Sequence, residues 1–197
     1  MASNPTICSC DSTFLVNGFC LACDNTKIRD RDREFTIIRN RNRKIPTQQE
    51  YLVFDGGHCR RKYQDLCEQW RCPCCNRTKY ELLRWTMRFP KRPNRFEGWV
   101  VGLHTHHDHA MDVHGGMYSP HAAAIARFAP VIICEQCNAA DATAKRKLGL
   151  PENFSFTPFE IRSFIFPTAH GWHIVNYKVA QDAYRKTIEA KPVPKFF

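Results

Sequence analysis

The chain has 197 residues, with 29 Lys and Arg against 19 Asp and Glu, giving a formal charge of +10 with histidine neutral. That length fits one ordinary domain or a domain with an appendage, and 43% hydrophobic with 12% aromatic residues exclude a wholly disordered chain. No run of ~18 apolar residues is present to cross a bilayer and residues 1–25 lack the basic start and apolar centre of a secretory signal, so a cytoplasmic protein is expected, with no membrane partner. A pI near 9.2 favours a polyanion, nucleic acid ahead of an acidic membrane surface. Eleven cysteines in a reducing compartment call for metal more than for disulfides, and an odd count leaves one thiol unpaired in any all-disulfide scheme.

In chain order, Cys8 and Cys10, then Cys20 and Cys23, form two close pairs joined by a short loop. Turns at each pair can aim four sulfurs at one tetrahedral zinc, the bland alternative being reduced thiols at a frayed terminus. From Lys27 to Lys44 eight basic and three acidic residues are too dense for a core. The expectation there is a solvated segment, either a charged linker or an arm following phosphates through Arg39, Arg41 and Arg43, with FTII as a short strand. Helical pieces are expected from Thr47 to Trp70 around a turn at Gly56 and Gly57. Cys59 and Cys67, beside His58, read as core thiols more readily than as a further metal site.

Cys72 with Cys75 and Cys134 with Cys137 give two CxxC elements, a strong zinc signal even when far apart in sequence. A thioredoxin-like redox site would need one CxxC in a βαβ setting, and none is visible. Between the pairs, Trp99 to Thr105 reads as a strand that ends in His104, His106, His107, Asp108 and His109. Four histidines and an aspartate so close together are hard to assign to packing. On a strand, neighbouring side chains face opposite sides, so one can bind a metal while the next approaches a water. Ser119 and Pro120 suit a helix start, Val131 to Ile133 leads into the second CxxC, and Asn138 can cap a helix from about Ala139 to Leu148 that Gly149 and Pro151 stop. Thr157 to Glu160 is a capping-box pattern opening another helix, and Tyr177, Ala180, Tyr184 and Ile188 are spaced for one face of a last one.

The order CxxC, HTHHDH, CEQCN and the basic helix NAADATAKRKL resembles the His-Me finger nucleases, also called HNH or ββα-metal, most closely the phage recombination endonuclease VII branch. The resemblance covers about residues 72–148. It implies an α+β fold with a small zinc-stapled ββα-metal core at 72–150, which the spacings above flank with an N-terminal zinc-binding and basic region at 1–71 and C-terminal helices at 151–197. It further implies a metal-dependent endonuclease on double-stranded or branched DNA, with one structural zinc and a catalytic divalent ion; with the N-terminal cysteine pairs, about two structural zinc ions are expected. By position His107 would be the general base, His106 and Asn138 the metal ligands, and Asp141 a further acidic group on the helix. His106 stands where the family has aspartate, which leaves a second register open, with Asp108 as ligand and His109 as base. Lys145, Arg146 and Lys147 would contact backbone phosphates, and cutting both strands would suit a homodimer. A non-catalytic zinc module that binds nucleic acid is the alternative, and a metal-storage or redox protein a third.

Overall fold

A computed structural model describes residues 15–16, 19–88, 93 and 96–189, with side chains from 31 onward except those of 88 and 122. The proposed Cys8–Cys10–Cys20–Cys23 site therefore lies outside the described residues at Cys8 and Cys10, and only the backbone is described at Cys20 and Cys23.

β1 (Leu15–Val16) and β2 (Phe19–Cys20) pair antiparallel and run into α1 (Leu21–Arg41). The helix replaces the expected FTII strand, while the described side chains of the segment stay largely solvated as expected. The helix has no apolar stripe to announce it. A polar one docks it instead: Asp32 pairs with Lys147, and four-residue steps lead through Thr36 to Asn40. Asn40 is buried, its Nδ2 donating to Trp172 O at 2.9 Å while its Oδ1 accepts from Trp172 N at 2.8 Å. α2 (Gln48–Leu52) starts on a Thr47/Glu50 capping box, and a 3-10 turn at Gly57–Cys59 leads into α3 (Arg60–Asp65). Gly56 has φ +96°, and a Cβ there would stand 2.7 Å from Tyr63 Cβ, so the turn lets Tyr63 enter the core.

The first CxxC forms a tight knuckle in which Cys72 N donates to Arg77 O at 3.0 Å and Asn76 N to Cys72 O at 2.8 Å. α4 (Lys79–Leu82) follows, capped by Thr78 and Glu81, and then the antiparallel pair β3 (Arg84–Arg88) and β4 (Phe96–Val100). The single strand expected over Trp99–Thr105 is split at Gly102 into β4 and β5 (Leu103–His106). Gly102 O accepts from Glu135 N at 2.8 Å, and a Cβ on Gly102 would lie 2.5 Å from that of Glu135. The chain breaks there because the next helix start occupies that space.

α5 (Ala110–Val113) and α6 (Pro120–Ile125) lie between β5 and its antiparallel partner β6 (Val131–Cys134). β6 continues directly into α7 (Glu135–Leu148), whose N-cap is Cys134 and whose C-cap is Gly149 at φ 63°. Asn138 thus sits in the first turn of α7 and does not cap it. α8 (Pro158–Phe164) opens on the expected Thr157/Glu160 box, β7 (Ile165–Phe166) pairs with β8 (Ile174–Val175), and α9 (Tyr177–Glu189) ends the described chain.

The architecture is mixed α and β with small two-stranded sheets. One core runs from Tyr63 through Leu83, Ile133, Phe156 and Phe164 to Ala180, so all three sequence segments contribute to it. Each large side chain fully withdrawn from water there is worth roughly 1.5–3 kcal/mol. Among the described residues no helix is long and apolar enough to cross a membrane.

Candidate metal centre and histidine site

β6 and the 72–75 knuckle bring Cys72, Cys75, Cys134 and Cys137 together as a buried group that can hold a metal ion such as zinc. Sulfur separations are 3.8 Å for Cys72–Cys137, 3.7 Å for Cys75–Cys134 and 3.4 Å for Cys134–Cys137. Four bonds of ~2.3 Å to a tetrahedral ion space sulfurs by about 3.8 Å, so the donor set fits zinc. Hydrogen bonding from Cys134 holds Cys72 far below the ordinary thiol range and Cys75 down to about 4, while burial pushes Cys134 and Cys137 up.

A buried cation completes this cluster. Arg77 is 4% exposed, and its guanidinium donates to Cys75 Sγ at 3.4 Å, Cys134 Sγ at 3.3 Å and the carbonyl of Thr168 at 2.8 Å. Burial alone would lower its pKa, but the negative charges of Cys134 and Cys75 outweigh burial and raise it. A guanidinium out of water needs a counter-charge, and the Cys75 sulfur, whose pKa is lowered, stands 3.4 Å away to supply it. His173 Nε2 lies 3.3 Å from Cys137 Sγ. Cys74, also buried, stands outside the group, and its carbonyl accepts from Arg162 Nε at 3.1 Å, which ties the knuckle to α8. Cys59 is half-buried and accepts from Leu103 N at 3.4 Å, whereas Cys67 is exposed, so Cys67 is no core thiol.

The strand alternation of the histidine run ends at His106, the last residue of β5. His104 points to solvent. His106 is 2% exposed, stacks on Phe128 with centroids 5.1 Å apart, and donates from Nε2 to Phe156 O at 2.7 Å. That bond leaves Nδ1 as the basic nitrogen, and burial lowers the His106 pKa. Asp108 is equally buried, and both its oxygens are engaged by backbone, Oδ1 accepting from Ala110 N at 3.1 Å and Oδ2 from Arg127 N at 2.9 Å.

His107 and His109 lie with ring centroids 5.2 Å apart. The turn into α5 swings Asp112 back so that its Oδ1 is 2.9 Å from His107 Nε2, and His107 Nδ1 is buried without a hydrogen-bond partner. Ligand atoms of His107, His109 and Asp112 all lie within 4.8 Å of one another. Asp112 was not among the sequence-predicted residues. Its signal is only its spacing after His109 on one helical turn.

Beneath the run, the 154–156 segment straps across α7. Asp141, 3% exposed, accepts from Phe156 N at 2.9 Å and pairs with Lys145 at 3.2 Å. Lys145 Nζ also donates to Phe154 O at 2.9 Å and stands 3.5 Å from His109 Nδ1. Asn138 lies on the stripe of α7 that carries Asp141 and Lys145, three and seven residues on. Of the basic triplet on α7, Lys145 and Lys147 are engaged internally and Arg146 is exposed. Arg39, Arg41 and Arg43 are exposed at the end of α1.

In comparisons with known proteins, no family model, no curated protein and no solved structure matches this chain.

Proposed function

We propose that the protein is a metal-dependent endonuclease that hydrolyses phosphodiester bonds of DNA, with zinc on the four cysteines as a structural staple. The observation that carries this reading is the meeting of His107, His109 and Asp112 at the end of β5. The same β5–β6–α7 unit bears the four-cysteine group and, on α7, Asn138, Asp141 and Lys145. A water attacking phosphorus must lose a proton, and an imidazole held by a carboxylate can take it. Asp112 holds His107 Nε2 in that manner, and Nδ1 is left as the nitrogen without a partner. A divalent ion, when bound, neutralises charge on the phosphate and the departing oxygen. His106 through Nδ1 and Asn138 would hold that ion, while Asp141 and Lys145 keep the helix stripe and the strand end in register.

A second ligand set has its own observation. His107, His109 and Asp112 are themselves close enough to share one ion, in which case they are ligands and His107 is not the base. Asp108 is the weakest ligand candidate, because its oxygens already serve two backbone N–H groups.

The test is nicking of supercoiled plasmid with and without added divalent ion. Metal-dependent nicking that His107→Ala removes supports the nuclease reading. Binding of DNA without any cleavage under a range of metals would instead favour a non-catalytic zinc module.

A further inference from the structure

We infer that the cleft between the end of α1 and the β3–β4 pair is a binding groove for unpaired nucleotides. This rests on the nucleic-acid reading above and extends it, since it names what the protein selects: a single-stranded segment over continuous duplex. The cleft has a volume of about 520 Å³, within the ~300–1,000 Å³ range of small-ligand sites, and Trp85, Trp172, Met87, Arg39, Arg43 and Lys44 line it.

Its chemistry is that of a stacking platform with a cationic rim. Lys44 Nζ lies 3.6 Å from the centroid of the Trp85 ring, and the guanidinium of Arg39 lies 4.7 Å from that of Trp172. Both cations are on exposed residues. Trp85 packs edge-on against Trp99 at 5.2 Å and donates from Nε1 to Glu97 at 3.2 Å, while Asn40 holds the Trp172 backbone and the Arg84 guanidinium lies 3.9 Å from the Trp172 centroid. A nucleobase has a π-face of the same kind as these rings, and base-on-aromatic stacking works for any base. As a base slides onto Trp85, Lys44 exchanges its contact with the ring for one with phosphate. A paired base has both faces buried in the duplex stack, so only an unpaired one can enter.

The groove is separate from the histidine site. A neighbouring cleft shares Arg39 and Trp172 and reaches α7 at Ala139 and Thr143, on the side of that helix opposite Asn138, Asp141 and Lys145. Binding can therefore be read without cleavage.

The test uses the full-length zinc-loaded chain with no other divalent ion added, and follows binding of short oligodeoxythymidine, oligouridine and blunt duplex DNA at several salt concentrations. Either single strand should bind more tightly than the duplex and quench tryptophan fluorescence. The two single strands distinguish a DNA from an RNA ligand. Trp85→Ala should weaken single-strand binding by roughly 5- to 150-fold, the equivalent of one stacked base, and leave duplex binding unchanged, with Trp85→Phe restoring most of the loss. Lys44→Gln should make the salt dependence shallower by about 0.7 in log–log slope, one phosphate contact on a single strand. Equal affinity for single strand and duplex, or no fluorescence change in the wild type, would overturn the groove whether or not Trp85→Ala folds. Single-strand preference that depends on Trp85, in a chain that never cleaves DNA, keeps the groove and removes the nuclease. Cleavage with no role for Trp85 does the reverse.

Discussion

Arg77 and Cys134 form a buried guanidinium–sulfur contact, Nη2 to Sγ at 3.3 Å, in which neither residue has appreciable exposure. The same guanidinium reaches Cys75 and the carbonyls of Thr168 and Gly171, so it joins both halves of the cysteine group to the loop before β8. Removing one member of a buried charge pair strands the other, at about 3–5 kcal/mol. Arg77→Leu should lower unfolding free energy by about that amount and release metal to a chelator faster, with Arg77→Lys intermediate. Denaturation at fixed zinc and a chelator-competition time course measure both, and wild-type stability in Arg77→Leu would rule out charge compensation.

Metal removal should unfold the body of the protein. The cysteine group supplies four residues of the common core, and structural zinc contributes ~10–16 kcal/mol of apparent binding free energy in small zinc peptides. The purified chain should carry at least one tightly held zinc per molecule, and chelation should abolish cooperative thermal unfolding. Cys134→Ser should do the same without chelator. A zinc-free preparation that melts cooperatively at the same temperature would exclude a structural metal here.

The parts of this picture that are legible in the sequence are the local ones. Two CxxC pairs, the Thr157/Glu160 box and the Gly149 stop each rest on residues within one turn of each other, and each stands where its spacing indicates. α1 was illegible because hydrophobic periodicity is the usual helix signal, and its docking residues Asp32 and Asn40 are polar. Cys134 takes the N-cap because β6 feeds straight into α7, which no cap preference of Asn138 could reveal. In the histidine run the residue types were readable, but their division of labour was not. His106 and Asp108 are committed to Phe156 and Arg127, which lie far along the chain, and Asp112 returns only because a helix begins after His109.

His107 and Asp112 give a separable pair of variants. If His107 is the base, His107→Ala should lower cleavage by ~100-fold or more, with DNA affinity and zinc content near wild type. Asp112→Asn should then lower turnover at saturating metal, because it loses the carboxylate that fixes the imidazole. If both residues are ligands, Asp112→Asn should mainly raise the metal concentration needed for half-maximal rate. Full cleavage by His109→Ala would exclude it as base, whereas loss in His109→Ala with retention in His107→Ala would move the base two residues on.

Acid sensitivity should have an identifiable source in His170. It is buried, donates from Nδ1 to Leu83 O at 3.0 Å, packs edge-on against Tyr80, and adopts φ 58°. Burial depresses its pKa below the ordinary histidine value of ~6.5. As pH falls through that value the unfolded chain takes up the proton first, so stability from this site is present above ~6.5 and is lost progressively below it. His170→Asn tolerates the left-handed backbone and cannot titrate. Its melting temperature should be lower at neutral pH, by the loss of a hydrogen bond worth about 1 kcal/mol, and should fall less steeply towards pH ~5 than that of wild type. Parallel slopes would remove His170 from the acid response.

Metal choice separates the candidate ligand sets of the histidine site. Magnesium favours oxygen ligands in octahedral geometry, whereas imidazole suits manganese, cobalt, nickel or zinc. The pair His106 and Asn138 offers one imidazole nitrogen and an amide oxygen, and the set His107, His109 and Asp112 offers two imidazoles with one carboxylate. Both should make magnesium a poor activator beside manganese, cobalt or nickel at equal concentration. They differ in their response to substitution. With His106 as ligand, His106→Asp places a carboxylate on the metal and should shift preference towards magnesium, while Asp112→Asn leaves preference unchanged. With His107, His109 and Asp112 as ligands, Asp112→Asn should weaken every metal and magnesium most, because it removes the charged oxygen. His106→Asp would then only lose the bond to Phe156 O, which thermal unfolding would register. Strong magnesium activation that neither substitution alters would exclude both sets and return Asp108 to consideration, against its two backbone hydrogen bonds.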